Sequence, residues 1–127
     1  MDSLDVLFRP RAVAVIGASR DRRSIGGSIL HNLLTFEFQG QVFPVNPKAS
    51  VVHSLKCYAS VADIPDPVDM AVIVVPAAHV LDVVGECGRK GVKGLVVISA
   101  GFREVSEAGA ARENELLGLC TKYGMRM

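Results

Sequence analysis

Apolar residues fall in two rhythms along this chain. Ala12-Val13-Ala14-Val15-Ile16 is apolar at every position and breaks at Gly17. Such a run predicts a strand buried on both faces. Beyond a polar loop, Ile25, Ile29, Leu30, Leu33 and Leu34 recur at helical spacing, with Gly40 as a stop signal. Gln41–Val45 predicts a second strand, and its late Pro44 suits a strand end or a sheet edge. Asn46 to Pro67 is less regular. Val51–Tyr58 could hold a short strand, Ser60–Pro65 reads as one helical turn capped by Ser60, and Asp66-Pro67 marks a turn.

The rhythm then repeats. Asp69–Val75 is a third apolar strand, ended by Pro76. Val80, Val83, Val84 and Cys87 predict a helix closed by Gly88 and Gly91. Gly94–Ser99 predicts the next strand, breaking at Ala100-Gly101. A last helix is expected from about Ser106 to Tyr123, with Leu116, Leu117, Cys120 and Tyr123 inward and Gly124 at its end. Met125-Arg126-Met127 reads as the start of one more strand. Strands apolar on both faces, alternating with helices, imply an α/β fold in one domain. The right-handed crossover rule favours a Rossmann-like, doubly wound, mainly parallel sheet. A chain ending within a strand is expected to be the N-terminal part of a longer multidomain chain.

Composition narrows the partners. The 127 residues are half hydrophobic, and 14 Lys and Arg against 13 Asp and Glu leave a net charge of +1. With no Trp and few scattered aromatic residues, neither an electrostatic footprint nor a stacking platform for nucleic acid is expected. No stretch approaches a membrane span, and Met1–Asp5 carries no export-signal pattern. Cys57, Cys87 and Cys120 are too far apart for a zinc or disulfide pattern, which suits reduced thiols in the cytoplasm. No metal site is expected.

In an open α/β sheet, ligands bind beyond the carboxyl ends of the strands. Three loops there suit that role: Gly17-Ala18-Ser19, Val75-Pro76-Ala77 and Ser99-Ala100-Gly101. The first leads through Arg20-Asp21-Arg22-Arg23-Ser24 to a helix start at Ile25-Gly26-Gly27, a natural seat for a pyrophosphate. Gly26-Gly27 could equally serve close helix–strand packing, and the loop arginines could equally be solvated. The loop is not G-x-G-x-x-G. The second strand ends Val45-Asn46-Pro47-Lys48, where an NAD site wants an acid for the ribose 2′-hydroxyl. A lysine there suits a phosphorylated ribose, as in NADP or coenzyme A, although Lys48 could also be a plain surface lysine. Neither Ser19 nor Ser99 lies in a nucleophile elbow, and His31, His53 and His79 lack partners at a telling spacing. No catalytic residue is expected.

Four blocks carry a resemblance that spans essentially the whole chain: Arg9–Ser19, Val45–Lys48, Asp66–Ala77 and Val97–Phe102. In this order they resemble the CoA-binding domain of the NDP-forming acyl-CoA synthetases, the superfamily of succinyl-CoA ligase and ADP-forming acetyl-CoA synthetase. The resemblance implies that Gly17, Ser19, Ser24, Ile25 and Gly26 shape the phosphate loop and helix start. It implies Asn46 and Lys48 beside the phosphorylated ribose. Val75, Pro76 and Ala77 would flank the nucleotide and pantetheine, and Ser99, Ala100 and Gly101 would lie near the thiol. It also implies further ligase domains, one with a phosphohistidine and one that grasps the nucleotide, in the same chain or another subunit, with oligomers possible. The domain alone would bind CoA and catalyse nothing. Other readings are a regulatory CoA-sensing domain, as in some protein acetyltransferases, and an NAD(P)-dependent oxidoreductase.

Overall fold

A computed structural model describes residues 10–18, 23–35, 38–98 and 107–127. The elements run β1 (Ala12–Ile16), α1 (Ile25–Thr35), β2 (Gln41–Val45), β3 (Val51–Val52), β4 (Leu55–Lys56), a 3₁₀ turn (Val61–Asp63), β5 (Met70–Ile73), α2 (Ala77–Lys90), β6 (Gly94–Val97) and α3 (Glu107–Tyr123). The all-apolar run Ala12–Ile16 is buried at every position. It lies between two parallel neighbours, in the order β2-β1-β5-β6. The expected Rossmann-like parallel sheet is present. The order reverses beside β1: α1 carries the chain outward to β2, and the next main strand, β5, returns on β1's other side.

Period-two alternation assigns each residue of β1 to one of two cores. Ala12, Ala14 and Ile16 share a cluster with Ala71, Ile73 and Leu95, under Val80, Val84 and Cys87 of α2 and Leu116 and Cys120 of α3. Val13 and Val15 face the other way, onto Leu30 of α1 and onto Val52 and Cys57. The sheet is covered on both faces, as parallel sheets require.

Some elements differ from the sequence reading. Val51–Tyr58 forms an antiparallel hairpin, with Tyr58 bridging in parallel to Val45. Its two-residue turn holds His53 and Ser54 at positive φ, 50° and 65°. Neither residue carries the glycine signal of such turns, so nothing local announced it. Gly88 lies inside α2, where a Cβ would collide with the Tyr123 ring, and Gly91 alone caps the helix in the left-handed region. Leu117, expected inward, is 49% exposed, and Ile25 and Leu34 of the α1 stripe are exposed as well. The Ser60 cap is as expected, its hydroxyl accepting from the Ala62 N–H at 3.1 Å. Arg126 bridges in parallel to Gly94, at the position of a fifth strand.

Asp69 ties the starts of three strands together. Its carboxylate accepts from the N–H groups of Arg11, at 2.8 Å, and Ala12, at 3.1 Å. Its own N–H donates to the Ala12 carbonyl, and its carbonyl accepts from Lys93 and Gly94. Asp69→Ala should therefore lower stability by about 1–3 kcal/mol, since a charged acceptor is lost. Urea unfolding measures this.

All three cysteines are buried and outside any disulfide. Burial, and then the charge of Glu86, push the Cys87 thiol up from 9.0 to about 12. An unfolded thiol ionises near 9, whereas the folded one stays neutral. The stability Cys87 contributes is therefore complete below pH 9 and drains away as pH rises toward about 12. Stability measured from pH 8 to 11 should fall more steeply in the native protein than in Cys87→Ala.

Candidate functional site: the strand tips beside β1

Because the four main strands are parallel, their C-terminal ends share one edge of the sheet. At that edge β1 stops at Gly17, whose φ of +99° turns the chain away from the strand direction. A Cβ here would run into the Val74 carbonyl, so the tips of β1 and β5 touch backbone to backbone. A Cβ on Gly26 would strike the Gly17 carbonyl. The start of α1 is thus seated directly on the end of β1, the close approach that glycine permits. Gly26 and Gly27 are both buried. Packing is therefore one role of this pair, and it holds a helix N-terminus at the strand tip. Ser24 caps α1, its hydroxyl accepting from the Gly27 N–H at 3.0 Å. Ile25 points its apolar side chain outward, 57% exposed.

The tip of β2 is built from a different rule. Asn-Pro at the first two positions of a tight turn is a strong local signal: Pro presets φ, and Asn bonds the backbone two residues on. Accordingly the Asn46 carbonyl accepts from the Ala49 N–H at 3.3 Å. The Asn46 side-chain oxygen accepts from the Lys48 N–H at 2.8 Å. Its amide nitrogen donates across to the Ala18 carbonyl at 2.8 Å. The turn presents Lys48 exposed at the edge, and the neighbouring β1 tip carries no acid among the described residues.

At the tip of β5, Pro76 occupies the residue before α2 with φ −56° and ψ 145° and no side-chain cap. The first turn of α2 contains no acid. Two helices thus begin at the same edge, flanking the point where strand order reverses, and both dipoles turn their positive ends to it. Val75 and Ala77 are partly buried between these elements and Pro76 is exposed.

The structure therefore gathers Gly17, Ser24, Ile25, Gly26, Asn46, Lys48, Val75, Pro76 and Ala77 along one edge. Ser19, Ser99, Ala100 and Gly101 lie outside the described residues. Sequence reasoning assigned no role to the Ala18 carbonyl, which accepts from Asn46, or to the Val74 carbonyl, against which Gly17 packs. A backbone role leaves no trace in side-chain identity, and only the partners Asn46 and Gly17 hint at it. Among the described residues, no group of three His, Cys, Asp or Glu could hold a metal, and no helix is long and apolar enough to cross a membrane.

A parallel sheet with two helix starts at a reversal of strand order is the architecture of a nucleotide-binding α/β domain. The particular family follows from comparison: residues 11–127 match the CoA binding domain family, and the chain belongs to it. It is 50% identical over 121 residues to acetate–CoA ligase [ADP-forming] II of Archaeoglobus fulgidus, covering 95% of this chain and 18% of that one. It is 48% identical to the alpha subunit of acetate–CoA ligase [ADP-forming] I of Pyrococcus furiosus, covering 98% of this chain and 28% of the subunit. Among solved structures, acetyl-coenzyme A synthetase 1 of Ca. Korarchaeum cryptofilum, in complex with phosphate and ADP, superposes with a TM-score of 0.92. It is 50% identical and covers 99% of this chain and 27% of that one. The chain thus spans under a third of the length of each of these relatives.

Gly17→Ala should be severe, because positive φ and the Val74 carbonyl both oppose a side chain. A loss of at least about 2 kcal/mol is expected from strain and overpacking together. Thermal unfolding of the variant checks it.

Proposed function

We propose that this domain binds coenzyme A along the described edge, as the CoA-binding part of an ADP-forming acyl-CoA synthetase. The pyrophosphate lies at the turn after β1, against backbone N–H groups and the start of α1. The 3′-phosphate of the ribose meets the Lys48 ammonium, and the nucleotide and pantetheine run past Val75, Pro76 and Ala77 and the exposed Ile25. Ser19, Ser99, Ala100 and Gly101 complete the loops, with the last three toward the thiol.

The observation that carries this reading is the tip of β2. A cation stands where a cofactor with an unmodified ribose would want a carboxylate, and the turn that presents it is internally bonded. Family membership points to the same ligand.

The parent enzyme would interconvert acyl-CoA, nucleoside diphosphate and phosphate with acid, CoA and nucleoside triphosphate. In this scheme the phosphate travels on a histidine of a further domain, and a third domain grasps the nucleotide. The present chain contributes the CoA seat and no reacting side chain. Three buried cysteines kept as thiols favour a reducing, cytoplasmic setting.

Titration calorimetry with CoA, dephospho-CoA and NADP tests the ligand. CoA should bind more tightly than dephospho-CoA, and tight NADP binding without a CoA response would overturn the proposal. Lys48→Ala should weaken CoA by about 1–3 kcal/mol, the range for a charged hydrogen bond, and leave dephospho-CoA nearly unchanged. Equal losses for both ligands would remove Lys48 from the 3′-phosphate.

A further inference from the structure

Asn46 does more than stand beside the ligand. Its side-chain nitrogen donates to the Ala18 carbonyl in the turn after β1, and its side-chain oxygen accepts from the Lys48 N–H in the turn after β2. The orientation of the amide is fixed by chemistry: a carbonyl can only accept and a backbone N–H can only donate. The backbone of Asn46 is held as well. Its N–H donates to the Tyr58 carbonyl at 2.9 Å, and its carbonyl accepts from Ala49. The Cys57 thiol lies 3.6 Å from that same carbonyl. Asp cannot donate to Ala18, and Ser is too short to cross to it. Only a carboxamide of this length serves both turns at once.

We propose that Asn46 is a positioning residue: one carboxamide clamps the phosphate loop after β1 to the Lys48 turn, setting the distance between the seats of the pyrophosphate and the 3′-phosphate. This inference rests on the coenzyme A reading, and it assigns each arm of the side chain to a different part of the ligand. The Ala18 arm holds the turn at the end of β1, at the seat that CoA and dephospho-CoA share. The Lys48 arm orders the turn that only the 3′-phosphate uses.

The Lys48 arm, without which there is no clamp, can be read without any ligand. Hydrogen exchange of the Lys48 amide should be protected in the native protein and about tenfold faster in Asn46→Ala, with Asn46→Ser between them because a serine hydroxyl can still accept from that amide. Equal exchange rates in native protein and Asn46→Ala would overturn the clamp, whether or not CoA binds.

With ligands, Asn46→Ala should weaken both CoA and dephospho-CoA and reduce the preference for CoA about fivefold to tenfold. Asn46→Ser should weaken both yet keep more of that preference. In a Lys48→Ala background, Asn46→Ala should change the preference no further, because the group it positions is gone. If Asn46→Ala lowers both affinities equally, in step with a fall in Tm, the residue is merely structural and the proposal fails. A native protein that binds no CoA would instead overturn the ligand reading, leaving the exchange result to decide the Lys48 arm.

Discussion

The constraint on which everything else depends is the complete burial of β1 between two parallel neighbours. Its five residues offer no polar side chain, so the backbone must be satisfied by β2 on one side and β5 on the other. Parallel pairing then forces every connection to cross a face of the sheet, which brings α1 over one side and α2 over the other. It also delivers the ends of all the strands to one edge. The site follows from the sheet: the tips converge because the strands are parallel, and the helices begin there because each connection must turn back.

At that edge, backbone contacts bring the parts together more than side chains do. Gly17 lets the tips of β1 and β5 meet, and Gly26 lets α1 sit on the end of β1. Asn46 joins the β2 tip to this assembly through one bond of 2.8 Å to the Ala18 carbonyl, while its side-chain oxygen holds its own turn at Lys48. The opposite edge has its own device, the Asp69 carboxylate, which gathers the first residues of β1 while its backbone pairs with β6. The sheet is pinned at one end for stability, and at the other it presents an arrangement of helix starts and a lysine. An anion with phosphates at two separated positions is the natural complement of such an edge.

The relatives fit this division of labour. In them, the segment resembling this chain is 18% to 28% of a longer enzyme or subunit. A domain that seats a diffusible thiol ester carrier gains from rigidity behind the phosphates. Buried, neutral thiols under α2 and α3 are consistent with that: Cys87 and Cys120 fill the core as small apolar groups.

Much of this was legible in the residues themselves. The apolar run 12–16, the stripe of α2 and the Asn-Pro turn each carry their structure locally, because strand burial, helical period and turn geometry depend on near neighbours. The absence of an acid after β2 and the presence of Lys48 were enough to argue for a phosphorylated ribose. Other features needed the folded chain. The hairpin at His53 and Ser54 has no glycine to announce it and adopts positive φ with the strands packed around it. The exposure of Leu117 depends on how α3 seats on α2, which takes Leu116 and Cys120 inward and leaves Leu117 outside. The clamp between Asn46 and Ala18 joins positions 28 residues apart, and it exists only because parallel pairing makes their strands neighbours. The sequence by itself determined the main strands, the helices and the Asn-Pro turn, since those obey local rules. The tertiary structure alone decided which backbone groups meet at the edge, since a carbonyl looks the same in every residue until the fold gives it a partner.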